Sequence, residues 1–225
     1  MSSLFDVGKS AVQSYRQSLA VTGQNIANIN TDGYKRREAD LEEVSGSQGG
    51  ITSLANQSGL GVRVADIRRA FNGFLLGRTN STNASYQKVD VFLDNLRQLE
   101  NTLLPTEGGL NEQIGRFFSA MSDVAAAPTD IASRAVALEI SKSLVSSFNG
   151  LAAQLDQLQN GALEQTKIGT TSLSIFAKEL ASINARILSS GQSGQTPNSL
   201  LDLRDKTISE MSSLTSLSVE YSDVG

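Results

Sequence analysis

From Leu4 to Tyr34 the chain reads LFDVGKSAVQSYRQSLAVTGQNIANINTDGY, and the apolar spacing of this stretch governs the reading of everything after it. Phe5, Val12, Leu19 and Ile26 recur at one heptad spacing, and Gly8, Tyr15, Thr22 and Ile29 repeat it three positions later. Together they form the a and d stripe of a helix built to meet another helix. Gly8 and Thr22 bury little, so the stripe is weak in places. A narrow apolar stripe with no partner in its own segment is an assembly element, and Phe5, Val12, Tyr15, Leu19 and Ile26 are its expected subunit-packing residues. The helix then meets a polar stop. Asn25, Asn28 and Asn30 compete for backbone hydrogen bonds and suit helix ends. Asp32-Gly33 supplies a turn in which glycine is free to take positive φ. Asn25, Asn28, Thr31, Gly33 and Tyr34 are therefore the expected turn residues.

Composition narrows the function classes. The 225 residues hold no Cys, no His and no Trp, and aromatics make up only 5%. Cysteine nucleophiles, histidine bases, disulfides and nearly all zinc-site types are excluded. The net charge of −4 argues against nucleic acid, which asks for a basic surface. The basic cluster Lys35-Arg36-Arg37, echoed by Arg63, Arg68 and Arg69, reads as solvated charge around a turn and a strand. Its functional reading is contact with acidic patches on neighbouring subunits. Near the N-terminus, Asp6, Gly8 and Lys9 interrupt Leu4, Phe5 and Val7, so no cleavable signal and no membrane span is expected.

Further along, Tyr34 to Ile67 reads as extended or irregular, with a flexible Ser45–Gly50 and a short strand around Val62, Val64 and Ile67. Helical periodicity returns at Asn72, through Leu75, Thr82, Val89, Leu96 and Leu103, until Pro105 and Gly108-Gly109. A shorter helix runs through Ile114, Phe117, Phe118, Met121 and Val124 and stops before Pro128. Thr129-Asp130 caps the next start. From Ile131 to Leu188 apolar residues step by three or four, a helix of about 87 Å at ~1.5 Å per residue. Gly161 and Gly169 are candidate kink points within it. After a loop over Ser189–Pro197, Asn198 is expected to cap a last helix, and Ser218–Tyr221 alternates like the opening of a strand. The expected fold is mainly α: an elongated bundle of long helices, an N-terminal coiled-coil helix and a short extended or β segment at about 35–70. Its expected divisions are 1–34, a connector at 35–71, a helical bundle at 72–216 and a strand start at 217–225.

Asn25-Ile26-Ala27-Asn28, Thr31 and Gly33-Tyr34 resemble the N-terminal signature of bacterial flagellar rod, hook and hook-associated proteins. Later stretches resemble the hook-associated members at the hook–filament junction. These are Gly59-Leu60-Gly61-Val62, Phe117-Phe118-Ser119-Ala120, Asp123-Val124-Ala125, Pro128-Thr129-Asp130, Ala132-Ser133-Arg134 and Asn198 to Asp205. The resemblance implies a structural subunit that self-associates in a tube between the hook protein and the next hook-associated protein. It implies passage through the flagellar type III export apparatus without a cleaved peptide, and an extracellular place on the flagellum. It also implies a β-rich outer domain and returning C-terminal helices, which would begin where this chain stops at Gly225. Without those helices the N-terminal helix lacks its partner, and short isolated helices are marginal in water. An unordered N-terminus in the free chain is therefore expected.

Rival readings are weaker. Gly8-Lys9-Ser10 lacks the earlier glycine of a phosphate loop and sits inside the heptad helix. Val64 stands where a dinucleotide fingerprint needs its third glycine. Glu38, Asp40, Glu42 and Glu43 look like a solvated turn, and Asp202 and Asp205 like acids favoured by a helix dipole. Neither set suggests the facing carboxylates of a glycosidase. No catalytic, cofactor-binding or metal residue is assigned. A rod or hook axial protein, or a free coiled-coil adaptor, remains as the alternative, and coiled-coil physics alone does not demand the asparagine signature.

Overall fold

The computed structural model describes residues 4–44, 61–104, 109–191 and 197–221. Among these residues the fold is mainly α, with five helices and one antiparallel strand pair. In chain order the elements are α1 (Leu4–Ala27), β1 (Arg37–Glu43), β2 (Val62–Arg69), α2 (Gly73–Leu103), α3 (Leu110–Ala126), α4 (Ile131–Gly191) and α5 (Asn198–Leu214). The chain divides into two compact units. One comprises Met1–Ala84 with Ser174–Gly225, the other Ser85–Leu173. Helices α2 and α4 contribute to both.

The helix starts follow their local chemistry. Asn72 accepts the Leu75 amide at 3.1 Å and opens α2. The Asp130 carboxylate accepts the amides of Ala132 and Ser133, each at 3.1 Å, and opens α4 as the sequence indicates. Three hydrogen bonds, the Ser133 hydroxyl's first among them, hold the Asp130 carboxyl below its ordinary pKa. Helix α4 runs unbroken through Gly161 and Gly169. Asn198 departs from its expected role. Pro197 is the α5 cap residue and makes no side-chain cap, while Asn198 donates from Nδ2 to the Ile67 carbonyl of β2 at 2.5 Å. The expected Ser45–Gly50 linker and the Pro105 and Gly108 stop lie outside the described residues.

The connector holds a strand that hydropathy does not reveal. Arg37–Glu43 pairs with Val62–Arg69, from Arg37 opposite Arg69 to Glu43 opposite Val62, with a bulge between Asp40 and Leu41. Glu38, Asp40 and Glu42 therefore belong to a strand rather than a turn. On the exposed face Glu42 pairs with Arg63 at 3.0 Å, and Asp40 with Arg68. Cross-strand charge replaces apolar alternation there. After α5, residues 216–221 form no strand, which corrects the expected strand opening. The Tyr221 ring instead meets Phe71 edge-on, with centroids 5.6 Å apart.

In the first unit the core lies around α5. Ile183 and Ile187 of α4 and Ile208 and Met211 of α5 are buried, together with Ala84 of α2. Polar groups share this core: Thr207 and Ser212 are buried, and Ser209 donates to Asn80 at 3.0 Å. In the second unit the buried apolar residues are Ala120 and Ala137, whose small side chains suit close helix approach, and Ser147 donates to Gln113 at 2.7 Å.

Candidate functional site

Helix α1 presents two faces. The inward face runs through Val7, Ser10, Ser14, Ser18, Val21 and Asn25, at steps of three and four, and rests on the hairpin. Ser14 donates to the Val62 carbonyl at 2.9 Å, while the Ser10 hydroxyl accepts the Val62 amide at 3.2 Å and donates to Val7. Two serines thus clamp both backbone groups of one β2 residue. Gly61, next to it, sits at φ +117°, and a Cβ there would lie 2.0 Å from the Ser10 hydroxyl. Val21 is the buried apolar contact of this face.

The outward face is the heptad stripe, about a third of a turn away. Phe5 (78%), Val12 (60%), Tyr15 (63%), Leu19 (71%) and Ile26 (69%) are all largely exposed, as are Leu4 and Ile29. Periodicity finds this face and misses the other, because small serines do the docking. The hairpin is a partner for α1 within the chain itself. The expectation of an unordered N-terminus in the free chain did not count this partner.

The signature residues converge at the end of α1. Asn25 Nδ2 donates to the Arg37 carbonyl and its Oδ1 accepts the Arg37 amide, both at 2.8 Å. The same Oδ1 accepts the Tyr34 hydroxyl at 2.9 Å. Thr31 donates to Asn28 Oδ1 at 3.1 Å, and Asn28 donates to the Gln24 carbonyl. Gly33, at φ +83°, passes under Lys206, whose side-chain carbons would lie 3.1 Å from a Cβ at that position. Lys206 reaches Asp32 at 3.0 Å, and this hydrogen bond raises the Lys206 pKa. An open groove of about 510 Å³ follows the turn, between Gln24 and Asn28 on one side and Ser199 and Leu203 on the other.

Behind the turn lies a joint of charged groups that sequence reasoning does not anticipate. Arg69 bridges Asp202 at 3.3 Å and Asp205 at 2.5 Å, and Arg37 approaches the other oxygen of Asp202 at 3.5 Å. Arg204 stands 3.8 Å from Asp205. Each guanidinium also faces an aromatic ring: Arg37 over Tyr34, Arg69 over Phe71 and Arg204 over Tyr221. Burial first, and then the charge of Asp205, push the Tyr221 phenol up against the opposing arginines. The reading of Arg37 and Arg69 as solvated, or as contacts to a neighbour's acids, is therefore corrected: their acids lie on α5 of the same chain. Arg63 and Arg68 remain exposed.

This arrangement is structural in its chemistry. Asp202 and Asp205, the buried carboxylates of the described residues, are held by arginine rather than facing each other across a cleft. Among the described residues no group of three or more His, Cys, Asp and Glu side chains could hold a metal ion, and no helix is long and apolar enough to cross a membrane.

The family described as the flagellar hook-associated protein FlgK helical domain matches residues 96–225, and the flagella basal body rod protein family matches residues 5–35. A flagellar hook-associated protein 1 of Bacillus subtilis is 26% identical over 98% of this chain and 44% of its own length. Its counterpart in Escherichia coli is 24% identical over 100% of this chain and 41% of its own length. The chain thus spans about two fifths of the length of the curated relatives it matches.

Proposed function

The chain belongs to the flagellar hook-associated protein FlgK family, and from that premise we propose that it serves as part of a structural subunit of the hook–filament junction. The observation that carries this reading is the double-faced α1. One face is satisfied within the chain by Ser10, Ser14, Val21 and Asn25, and the other exposes Phe5, Val12, Tyr15, Leu19 and Ile26 to an outside partner. Burying that stripe between subunits gains roughly 25 cal/mol for each Å² of apolar surface removed from water.

In this reading α1 packs against α1 of neighbouring subunits in a tube, and the helical part from Asn72 to Leu214 forms the next layer outward. Subunit contacts in a tube are heterologous and open-ended. The hook protein is the partner on one side and the next hook-associated protein on the other. The subunit reaches its extracellular place through the flagellar type III export apparatus without a cleaved peptide. It is not an enzyme, and it needs no cofactor or metal.

Deletion of the gene in its host tests the proposal, with electron microscopy of cell surfaces and an assay of flagellin in the medium. Bare hooks with flagellin shed into the medium are the expected result. Missing hooks would move the protein to the rod or hook, and normal filaments with normal motility would overturn the proposal.

A further inference from the structure

The joint between the hairpin and α5 is poorly explained by stability. Arg37, Arg69 and Arg204 face Asp202 and Asp205 with side chains from 2% to 19% exposed. Removing such charges from water carries a penalty that pairing seldom outweighs. The pairing is also incomplete. The described buried side-chain atoms without a hydrogen-bond partner are Arg37 Nε, Arg204 Nε, Asp205 Oδ1 and Asn198 Oδ1, and all four sit at this joint. Apolar side chains of similar volume would hold the two parts together at least as firmly.

Charged groups supply direction instead. Apolar contact is non-directional. A guanidinium that lies over an aromatic ring and shares one nitrogen between two carboxylates has a narrow geometry. Arg69 of β2 takes Asp202 and Asp205, which lie on one side of α5 at i and i+3, while Arg37 of β1 takes the remaining oxygen of Asp202. Both strands are thereby referred to a single face of α5. Phe71 and Tyr34 back the two arginines and limit their swing. The hairpin in turn holds α1 through Val62 and Arg37, so rigid links run from α5 to the outward stripe.

We infer that Arg69, Asp202 and Asp205 are positioning residues for assembly: they fix the angle at which the outward face of α1 is presented relative to α5. The inference rests on the proposed role of that face in subunit packing.

The chain has no cysteine, so nitroxide labels at Gln17→Cys on α1 and Leu214→Cys on α5 report this angle cleanly. The distance distribution between them is measured in the parent, in Arg69→Lys and in Arg69→Met/Asp205→Leu. Lysine keeps the charge and loses the guanidinium plane that lies over Phe71, so the distribution should broaden about twofold. The apolar pair should broaden it similarly, with a lower melting temperature because Arg204 then lacks Asp205. An unchanged width in Arg69→Lys would overturn the inference, whether or not the double variant folds.

Incorporation of the same variants into flagella of the host is then compared with Leu19→Asp, and about a tenfold loss is expected for Arg69→Lys because a stacked arginine is not replaced conservatively by lysine. Broad distances with normal incorporation, while Leu19→Asp fails to incorporate, would overturn the positioning role alone. Normal incorporation of Leu19→Asp as well would overturn the assembly role of α1.

Discussion

Asn25 on α1 makes to the backbone of Arg37 on β1 the two hydrogen bonds that a neighbouring strand would make. Its amide donates to the carbonyl and accepts from the amide, both at 2.8 Å. The helix end and the edge of the hairpin are thereby joined by one side chain. Aspartate lacks the donor and alanine lacks both groups.

Asn25→Ala should therefore strip two backbone groups and the Tyr34 hydroxyl of their partner. Part-buried groups left unmade cost about 1 kcal/mol or more each, so a loss of about 3 kcal/mol is expected. Amide hydrogen exchange at Arg37 should speed up markedly, whereas exchange in α3, which lies in the other unit, should stay unchanged. Asn25→Asp should also fail, because its carboxylate would face the Arg37 carbonyl. Unaltered Arg37 exchange in both variants would remove Asn25 from this role.

Gly61→Ala addresses the other end of the α1 contact. Its Cβ would meet the Ser10 hydroxyl at 2.0 Å on a backbone with φ +117°. Strain of about 1–3 kcal/mol is expected from the dihedral alone. The clash should push Ser10 off the Val62 amide and raise α1 from the hairpin. Adding Ser10→Gly should relieve the clash, and the residual loss then combines the dihedral strain, the missing Ser10–Val62 hydrogen bond and the cost of glycine inside α1. A denaturation midpoint for Gly61→Ala equal to that of the parent would contradict this account.

Helices α2 to α5, the strand at Val62 and the outward stripe of α1 were legible in the sequence, because each shows a hydrophobic period or a cap. Strand β1 was not. Its sequence READLEE alternates from Glu38 to Glu42 but holds no β-branched or aromatic residue, and its charges face solvent and cross-strand arginines, so it reads as surface. The docking face of α1 escaped for a related reason: Ser10 and Ser14 work through hydroxyls, which hydropathy counts as surface. Asp202 and Asp205 looked like dipole-favoured acids because their arginines lie more than a hundred residues away in sequence. Asn198 matches a cap signal in type and place, yet the Ile67 carbonyl takes its amide.

Asp130 gives a pH-dependent prediction. Its hydrogen bonds to Ser133 and Ala132 lower its pKa. A carboxyl depressed in the folded state stabilises above its ordinary value of about 4, and that contribution disappears as pH falls through the folded value. The start of α4 should therefore loosen only in acid below the ordinary carboxylate range, seen as the chemical shifts of Ala132 and Ser133 amides followed against pH. Asn is also a good cap, so Asp130→Asn should keep α4 intact at neutral pH and abolish that acid transition. The same transition persisting in Asp130→Asn would assign it to another group.

Leu19 and Val21 stand two residues apart on α1 and face different surroundings, which makes them a matched pair for separating folding from assembly. Val21 is 4% exposed and Leu19 is 71% exposed. A carboxylate at the buried position would lie among groups that cannot solvate it, so Val21→Asp should destabilise by about 2–4 kcal/mol and free α1 from the hairpin. Leu19→Asp changes a residue already in water and should shift stability by no more than about 0.5 kcal/mol. If the outward stripe packs against neighbouring subunits, that same substitution places a charge in every α1 contact of the tube. Leu19→Asp should therefore fold as the parent does, by circular dichroism and hydrogen exchange, and fail to enter the junction. Motile cells with a normal junction and Leu19→Asp in place would refute the packing role of this face.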